Sequence, residues 1–270
     1  MKFRTEINIA RAEQGIGYND RIALLGSCFS DNIAAKLREY YFPIIANPTG
    51  TLYNPVSVAR HLDDVAEANI IFITFGTAWV YEDVATGEVV DNCQKRPASD
   101  FIRRRMTVND IVELWLPLIQ KHADKRFIFT VSPIRHIKDG LHENNLSKSI
   151  LLLAVEQLIQ TGGAEYFPAY EIVQDELRDY RFYADDLVHP SSQAVAYIWE
   201  RLVETYFSRE TQAAMAELHQ LWLNRQHRSL HPGSPEDEAF KQHTEDLFHA
   251  LRAKYPWLPA VFPLRHQHCA

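Results

Sequence analysis

Short apolar runs alternate along this chain with segments whose apolar residues recur at helical spacing, and that alternation constrains the fold more than any other feature. The runs are Ile22 to Leu25, Tyr41 to Ala46, Ile70 to Phe75, Phe127 to Val131 and a weaker one at Tyr166 to Tyr170. Each is rich in β-branched or aromatic residues and bounded by Gly, Pro, Asn or Ser, as strands buried on both faces are. Between them, Asn54 followed by Pro55 opens a helix that runs through Val58, Leu62 and Val65. Val108, Ile111 and Leu114 mark a second. Leu146, Ile150, Leu153 and Leu158 mark a third, ended by Gly162-Gly163, and Val195, Ile198 and Leu202 a last. Strands separated by helices pair in parallel through right-handed crossovers. The expected fold over residues 1–207 is therefore α/β, a three-layer α/β/α sandwich around a central parallel sheet.

After Phe207 the pattern changes. Ser208 to Asn224 reads as one helix, His231-Pro232-Gly233 as a break, and Ser234-Pro235-Glu236-Asp237 as the capped start of another with Phe240, Leu247, Phe248 and Leu251 on its apolar side. Residues 208–270 are expected to form a helical extension that covers its apolar side on the α/β domain or on a second copy of the chain, a homo-oligomer.

With 270 residues and a net charge of −7, the chain can bury a core without covalent staples and offers no basic face for a polyanion, which argues against nucleic acid as a partner. The one basic run, Arg103-Arg104-Arg105, reads as a solvated loop or helix start. Charges at Lys2, Arg4 and Glu6 leave no apolar leader, and no later run is apolar enough to span a bilayer, so a cytoplasmic protein is expected. Cys28, Cys93 and Cys269 leave one thiol over in any disulfide scheme and show no paired-ligand spacing. The histidines of the tail, His227, His231, His243, His249, His266 and His268, likewise fit no zinc pattern, so neither metal nor cofactor is expected.

Two stretches point to chemistry. Gly26-Ser27-Cys28-Phe29 lies between the run Ile22 to Leu25 and the helical spacing Phe29, Ile33 and Leu37. A small-residue turn from a buried strand into a helix lifts a side chain out of the packing and aims free backbone N–H groups at developing negative charge. Ser27 and Cys28 are both candidate nucleophiles. The second stretch is Asp185-Asp186-Leu187-Val188-His189-Pro190-Ser191, ahead of the last helix of the α/β part. An Asp three residues before a His can orient the ring through one nitrogen and leave the other for a nucleophile. Arg135 and His136 follow the fourth run, at the end of the sheet where ligands gather. They suit an anionic or hydroxyl-rich group, or else a loop ion pair. Asn144-Asn145 reads as a helix cap.

This arrangement resembles the SGNH, or GDSL, hydrolase superfamily, and more closely the GSCFA family. The matching stretches are Gly26-Ser27-Cys28-Phe29-Ser30, Asn47-Pro48-Thr49-Gly50-Thr51-Leu52-Tyr53-Asn54-Pro55, Phe75-Gly76-Thr77-Ala78-Trp79-Val80-Tyr81, Ser132-Pro133-Ile134-Arg135-His136, Glu143-Asn144-Asn145-Leu146-Ser147-Lys148 and Tyr166-Phe167-Pro168-Ala169-Tyr170-Glu171. Set against the superfamily's Gly-Asp-Ser-Leu without a gap, Cys28 takes the nucleophile's place and Ser27 the Asp's. The helix start and an imidazolium would lower the thiol's pKa. The resemblance implies Asp186 and His189 as orienter and base, Gly50 as an oxyanion donor, and the Gly76-Thr77 turn as the third block. Ala78 stands there where the superfamily has Asn, which leaves Thr77 or Asn54 to replace that donor. The implied activity is acyl transfer without a cofactor. Hydrolysis of an O-acyl ester of a carbohydrate or other small molecule comes first. Transfer from a thioester, or ligand binding without catalysis on the same scaffold, are the alternatives.

Overall fold

The computed structural model describes residues 4–91 and 96–259. Cys93, His266, His268 and Cys269 lie outside the described residues. Parallel strands β1 (Ile22–Gly26), β2 (Ile44–Ala46), β3 (Ile70–Phe75), β6 (Arg126–Val131) and β7 (Ala164–Tyr166) form a sheet in the order β2-β1-β3-β6-β7. Helices α1 (Cys28–Glu39) and α6 (Ser192–Tyr206) cover one face; α2 (Pro55–Arg60), α3 (Val108–Lys121) and α4 (Leu141–Gln160) cover the other. The expected three-layer α/β/α sandwich is the observed one.

The alternation within β1 shows how the layers are held. Ile22 and Leu24 point into the cluster with Phe29, Ile33, Ile198 and Trp199, while Ala23 and Leu25 point into the cluster with Val58, Trp115 and Leu151. A strand buried on both sides needs an unbroken apolar run, which is why these strands stand out in the sequence.

Two expected strands shift. Tyr41 has φ +61, and pairing begins only at Ile44, beyond Pro43, so β2 is shorter than the run from Tyr41. At the other edge β7 pairs Ala164 to Tyr166 with Phe127 to Phe129. The chain then turns at Pro168 into the short helix α5 (Ala169–Glu171), so the strand ends where the run was expected to begin. Arg103-Arg104-Arg105 is neither loop nor helix start. It belongs to β5 (Phe101–Arg105), which pairs antiparallel with β4 (Trp79–Asp83) as a two-stranded ribbon. Arg103 and Arg105 share a face and lie 3.7 and 5.4 Å from the Trp79 ring centroid, while Arg104 turns to Glu82. Arg105 also pairs with Glu143 of α4, which ties the ribbon to the domain.

In the C-terminal region α7 (Arg209–Gln226) and α8 (Pro235–Lys254) share a small core of Leu218, Leu221, Phe248, Leu251 and Leu258. This core rests on the α/β part: Tyr18 stacks on Trp257 at 3.9 Å, Tyr40 on His219 at 4.8 Å, and Tyr41 meets Trp222 edge-on. No helix of the described residues is long and apolar enough to cross a membrane.

Gly26 ends β1 at φ +136, and a Cβ there would lie 2.1 Å from the Thr74 carbonyl oxygen. A side chain would therefore separate β1 from β3 at the end where the chain turns. Gly26→Ala is expected to cost about 2 kcal/mol or more, read as a lower midpoint in thermal or urea unfolding. A midpoint equal to that of the wild type would refute this reading of the turn.

Candidate active site

In a sheet of order β2-β1-β3, the chain leaves β1 and β3 toward opposite faces, and a crevice opens beyond their carboxyl ends. The turn Gly26-Ser27-Cys28 emerges at that point. Ser27 is 1% exposed and caps α1: its N–H donates to the Thr74 carbonyl at 3.1 Å, and its Oγ accepts the Phe29 N–H at 3.3 Å. Those contacts turn Ser27 inward. Cys28, the first residue of α1, is half-buried and points the other way, with Sγ 3.7 Å from His189 Nε2. Of the two candidate nucleophiles, the structure brings Cys28 to the histidine and leaves Ser27 in the packing.

His189 sits on the turn before α6. Its Nδ1 is 2.6 Å from Asp186 Oδ2, while Asp186 Oδ1 accepts the N–H groups of Val188 and His189 at 2.9 and 3.0 Å. Leu187, at φ +58, makes this tight arrangement possible. The same backbone N–H groups and the imidazole hold the Asp186 carboxyl down at about 2, so it is ionised at any working pH. An ionised Asp186 draws the ring proton to Nδ1 and leaves the Nε2 lone pair facing Sγ.

The expected lowering of the thiol pKa does not hold. Burial, and next the Asp31 carboxylate in the first turn of α1, push Cys28 up, against the N–H groups of Cys28 and Phe29 and the charge of Lys148. Cys28 is therefore a neutral thiol at rest, with His189 Nε2 beside it.

Asn47, at φ +41, holds this corner together. Its Oδ1 accepts the Gly26 N–H at 2.9 Å, and its Nδ2 donates to Asp31 Oδ1 at 2.9 Å. Thr51 Oγ1 donates to the other Asp31 oxygen at 3.3 Å.

The expected oxyanion donors are engaged elsewhere. The Gly50 N–H closes a turn onto the Asn47 carbonyl at 2.9 Å. Asn54 caps α2, with Oδ1 accepting the Ser57 N–H and Nδ2 donating to Ser57 Oγ. Thr77 Oγ1 is buried, 3.0 Å from Ser147 Oγ, and accepts the Trp79 N–H. The Gly76 and Thr77 N–H groups both donate to the Tyr53 carbonyl, at 2.8 and 2.9 Å. The Cys28 N–H, at the first position of a helix, has no intrahelical acceptor and remains as a donor beside the thiol.

Arg135 and His136 adjoin the site in different ways. Arg135 lies over the rings of Tyr183 and Tyr180, at 4.1 and 5.0 Å, in place of the expected alternative of an ion pair, and its N–H donates to the Val188 carbonyl beside His189. His136 is held down at about 4 by burial and then by the charge of Lys148, so it is neutral and offers hydrogen bonds, not charge, to a ligand. Asn144 is not the cap of α4, which is Gly140; its Oδ1 accepts the His136 N–H at 2.9 Å and fixes that loop.

Three groups had no expected role. Asn47 and Tyr53 lie in the second block, and Tyr53, its phenol pushed up by burial and then by Cys28, stays protonated, with its ring edge-on to His136 at 6.0 Å. Lys148 is buried beneath the turn, and its Nζ donates to the carbonyls of Gly76 and Ser132. The one signal for these residues was their place in the stretches that resemble the family. Among the described residues no cluster of histidine, cysteine and acidic side chains has the geometry of a metal site.

The model of the GSCFA family matches residues 21–69 and 63–202, well over half of the chain. The chain belongs to the GSCFA family. None of the curated proteins compared matches it. Among solved structures it is similar to a catalytic mutant of an acetylxylan esterase from Geobacillus stearothermophilus, with 10% identity, a TM-score of 0.47, and coverage of 72% of this chain and 98% of that one. It is also similar to a GDSL-like lipase from Bacteroides thetaiotaomicron, with 14% identity, a TM-score of 0.46, and coverage of 76% and 92%.

Because the Asp31 charge helps to hold the proton on Cys28, Asp31→Asn removes a repulsion from the thiolate. The inflection in the rate of Cys28 alkylation by iodoacetamide is expected to fall by about half a unit to one unit. An inflection that stays put or rises would show that Asp31 does not act on the thiol.

Proposed function

We propose that this GSCFA protein is an acyl hydrolase that uses Cys28 as nucleophile, His189 as general base and acid, and Asp186 to orient the ring. The observation that carries the reading is the unbroken line from Sγ to Nε2 at 3.7 Å and from Nδ1 to Oδ2 at 2.6 Å. His189 Nε2 takes the thiol proton as Sγ bonds to the ester carbonyl carbon, and the carbonyl oxygen becomes an oxyanion beside the Cys28 N–H. As the tetrahedral intermediate collapses, the carbon–oxygen bond to the alcohol breaks and the alkoxide takes the proton from Nε2. Water then attacks the thioester, giving its proton to His189. Collapse releases the carboxylic acid, and the thiolate recovers its proton.

The substrate class proposed is an O-acyl ester of a hydroxyl-rich small molecule, with carbohydrate-linked acetyl groups foremost. The family resemblance supports it, and so does a polar rim in which neutral His136 and protonated Tyr53 offer hydrogen bonds. His189 and Asp186 are each about half exposed, so the base meets its substrate at an open face.

Turnover of p-nitrophenyl acetate tests the reading. Cys28→Ala and His189→Ala are expected to lower it by about a thousandfold or more. Ser27→Ala is expected to keep turnover within roughly tenfold while losing about 1 kcal/mol of stability with the helix cap. Turnover that survives Cys28→Ala and disappears in Ser27→Ala would reverse the assignment, and a wild type inert toward a panel of acyl esters would sink the hydrolase reading.

A further inference from the structure

Lys148 is 1% exposed, on the inner side of α4. Its Nζ donates to two backbone carbonyls, Gly76 at 2.6 Å and Ser132 at 2.7 Å, at the ends of β3 and β6. Its partners are carbonyls, not carboxylates. An amide or hydroxyl would tether the two strand ends without placing an ammonium group in the interior, where charge is costly. The position of the amine gives the charge a use. A Cβ on Gly76 would lie 3.3 Å from Ser27 Cβ, so the carbonyl that Lys148 grips belongs to a residue packed against the Ser27-Cys28 turn.

The groups that face the amine carry no resting negative charge. Cys28 on α1 is pushed up by burial and stays a thiol. His136, on the loop after β6, reaches the Gly76 carbonyl with its ring and is held neutral by burial; His189 lies beyond it. Tyr170 on α5, with its ring centroid 5.9 Å from Nζ, is pushed up by burial and stays protonated. Burial pulls Lys148 itself down to about 7, and Cys28 acts in the opposite sense. The amine thus has no resting anion among these groups, and Cys28, on the turn that packs against Gly76, is where the proposed reaction forms one.

We propose that Lys148 is a positioning charge for the reaction at Cys28: its ammonium, gripped by the Gly76 and Ser132 carbonyls, stabilises the negative charge formed on Sγ and then on the carbonyl oxygen of the tetrahedral intermediate. This rests on Cys28 as the nucleophile. The Lys148 charge is present below about 7 and is lost as the pH rises through that value, so its help to the thiolate is an acid-side effect.

Alkylation of Cys28 by iodoacetamide, followed by peptide-resolved mass spectrometry across pH, reads the thiolate directly. In Lys148→Met and Lys148→Gln the rate at about pH 6 is expected to fall roughly tenfold or more, and the deficit to vanish by about pH 9, where the wild-type amine is neutral too. Lys148→Gln keeps an N–H donor for the carbonyls. If it alkylates like the wild type at pH 6, or if the deficit is the same at every pH, Lys148 is a strand tether and the proposal is overturned.

If neither variant folds, the wild-type lysine decides the matter. In NMR titrations of isotope-labelled lysine, Cys28→Asp is expected to raise the Lys148 inflection by about one unit over Cys28→Ala, and equal inflections overturn the proposal. Neither measurement needs an ester, so failure to hydrolyse any ester would sink the hydrolase reading while leaving this charge pairing open to measurement.

Discussion

The close approach of β1 to β3 at Gly26 is the constraint on which the rest of the site depends. Only a residue without a side chain fits against the Thr74 carbonyl there, and the same residue takes the positive φ that turns the chain upward. With the strands this close, the Ser27 N–H reaches the Thr74 carbonyl and α1 begins at once, so Cys28 lands at the point where the chain leaves β1 and β3 toward opposite faces. Asn47 fixes the turn from the β2 side through the Gly26 N–H, and the Leu52 N–H does so through the Gly26 carbonyl at 2.9 Å. The loops after β1 and β2 are thereby built around one glycine packed against β3.

Features that are local in the chain are legible in its sequence. Ile22 to Leu25, Ile70 to Phe75 and Phe127 to Val131 read as strands because burial on both faces demands continuous apolar character. Asp186 and His189 are legible because a three-residue separation brings them together within one turn. What is not legible depends on contacts between distant segments. The β4-β5 ribbon hides because its strength lies in Arg103 and Arg105 lying over Trp79, more than twenty residues away, with one face left to solvent. Nothing local in the sequence marks Lys148 as buried, and the carbonyls at the ends of β3 and β6 hold its amine in the interior. Gly50 is expected to donate to substrate because the resemblance implies it, and Asn54 as one replacement for the donor missing at Ala78. Whether a donor is free depends on its neighbours, and Asn47 and Ser57 already hold these two.

The two candidates for nucleophile illustrate the same division. A serine before a helix has two uses, and the sequence alone does not choose between them. The structure gives the two residues different surroundings: Ser27 Oγ turns back to the Phe29 N–H, and Sγ of the next residue faces the imidazole. Capping by Ser27 does more than satisfy a backbone group, since it sets the first turn of α1 and so aims Cys28.

A thiol in this position meets an electrostatic difficulty. The thiol is half-buried beside Asp31, both of which oppose the thiolate, and the donors expected to relieve that charge are engaged in turns and caps. Aspartate in the first turn of a helix is ordinarily favourable. Here it also accepts from Asn47 and Thr51, so it is the link that holds the second loop against α1. The corner thus keeps a carboxylate for its architecture, and that carboxylate opposes a thiolate at Cys28. On the reading proposed, the Cys28 proton leaves only when His189 takes it, and the charge left behind is met from below by Lys148, whose Nζ is held by the Gly76 and Ser132 carbonyls. On that reading the arrangement keeps the thiol protonated at rest and makes it nucleophilic as the acyl group arrives.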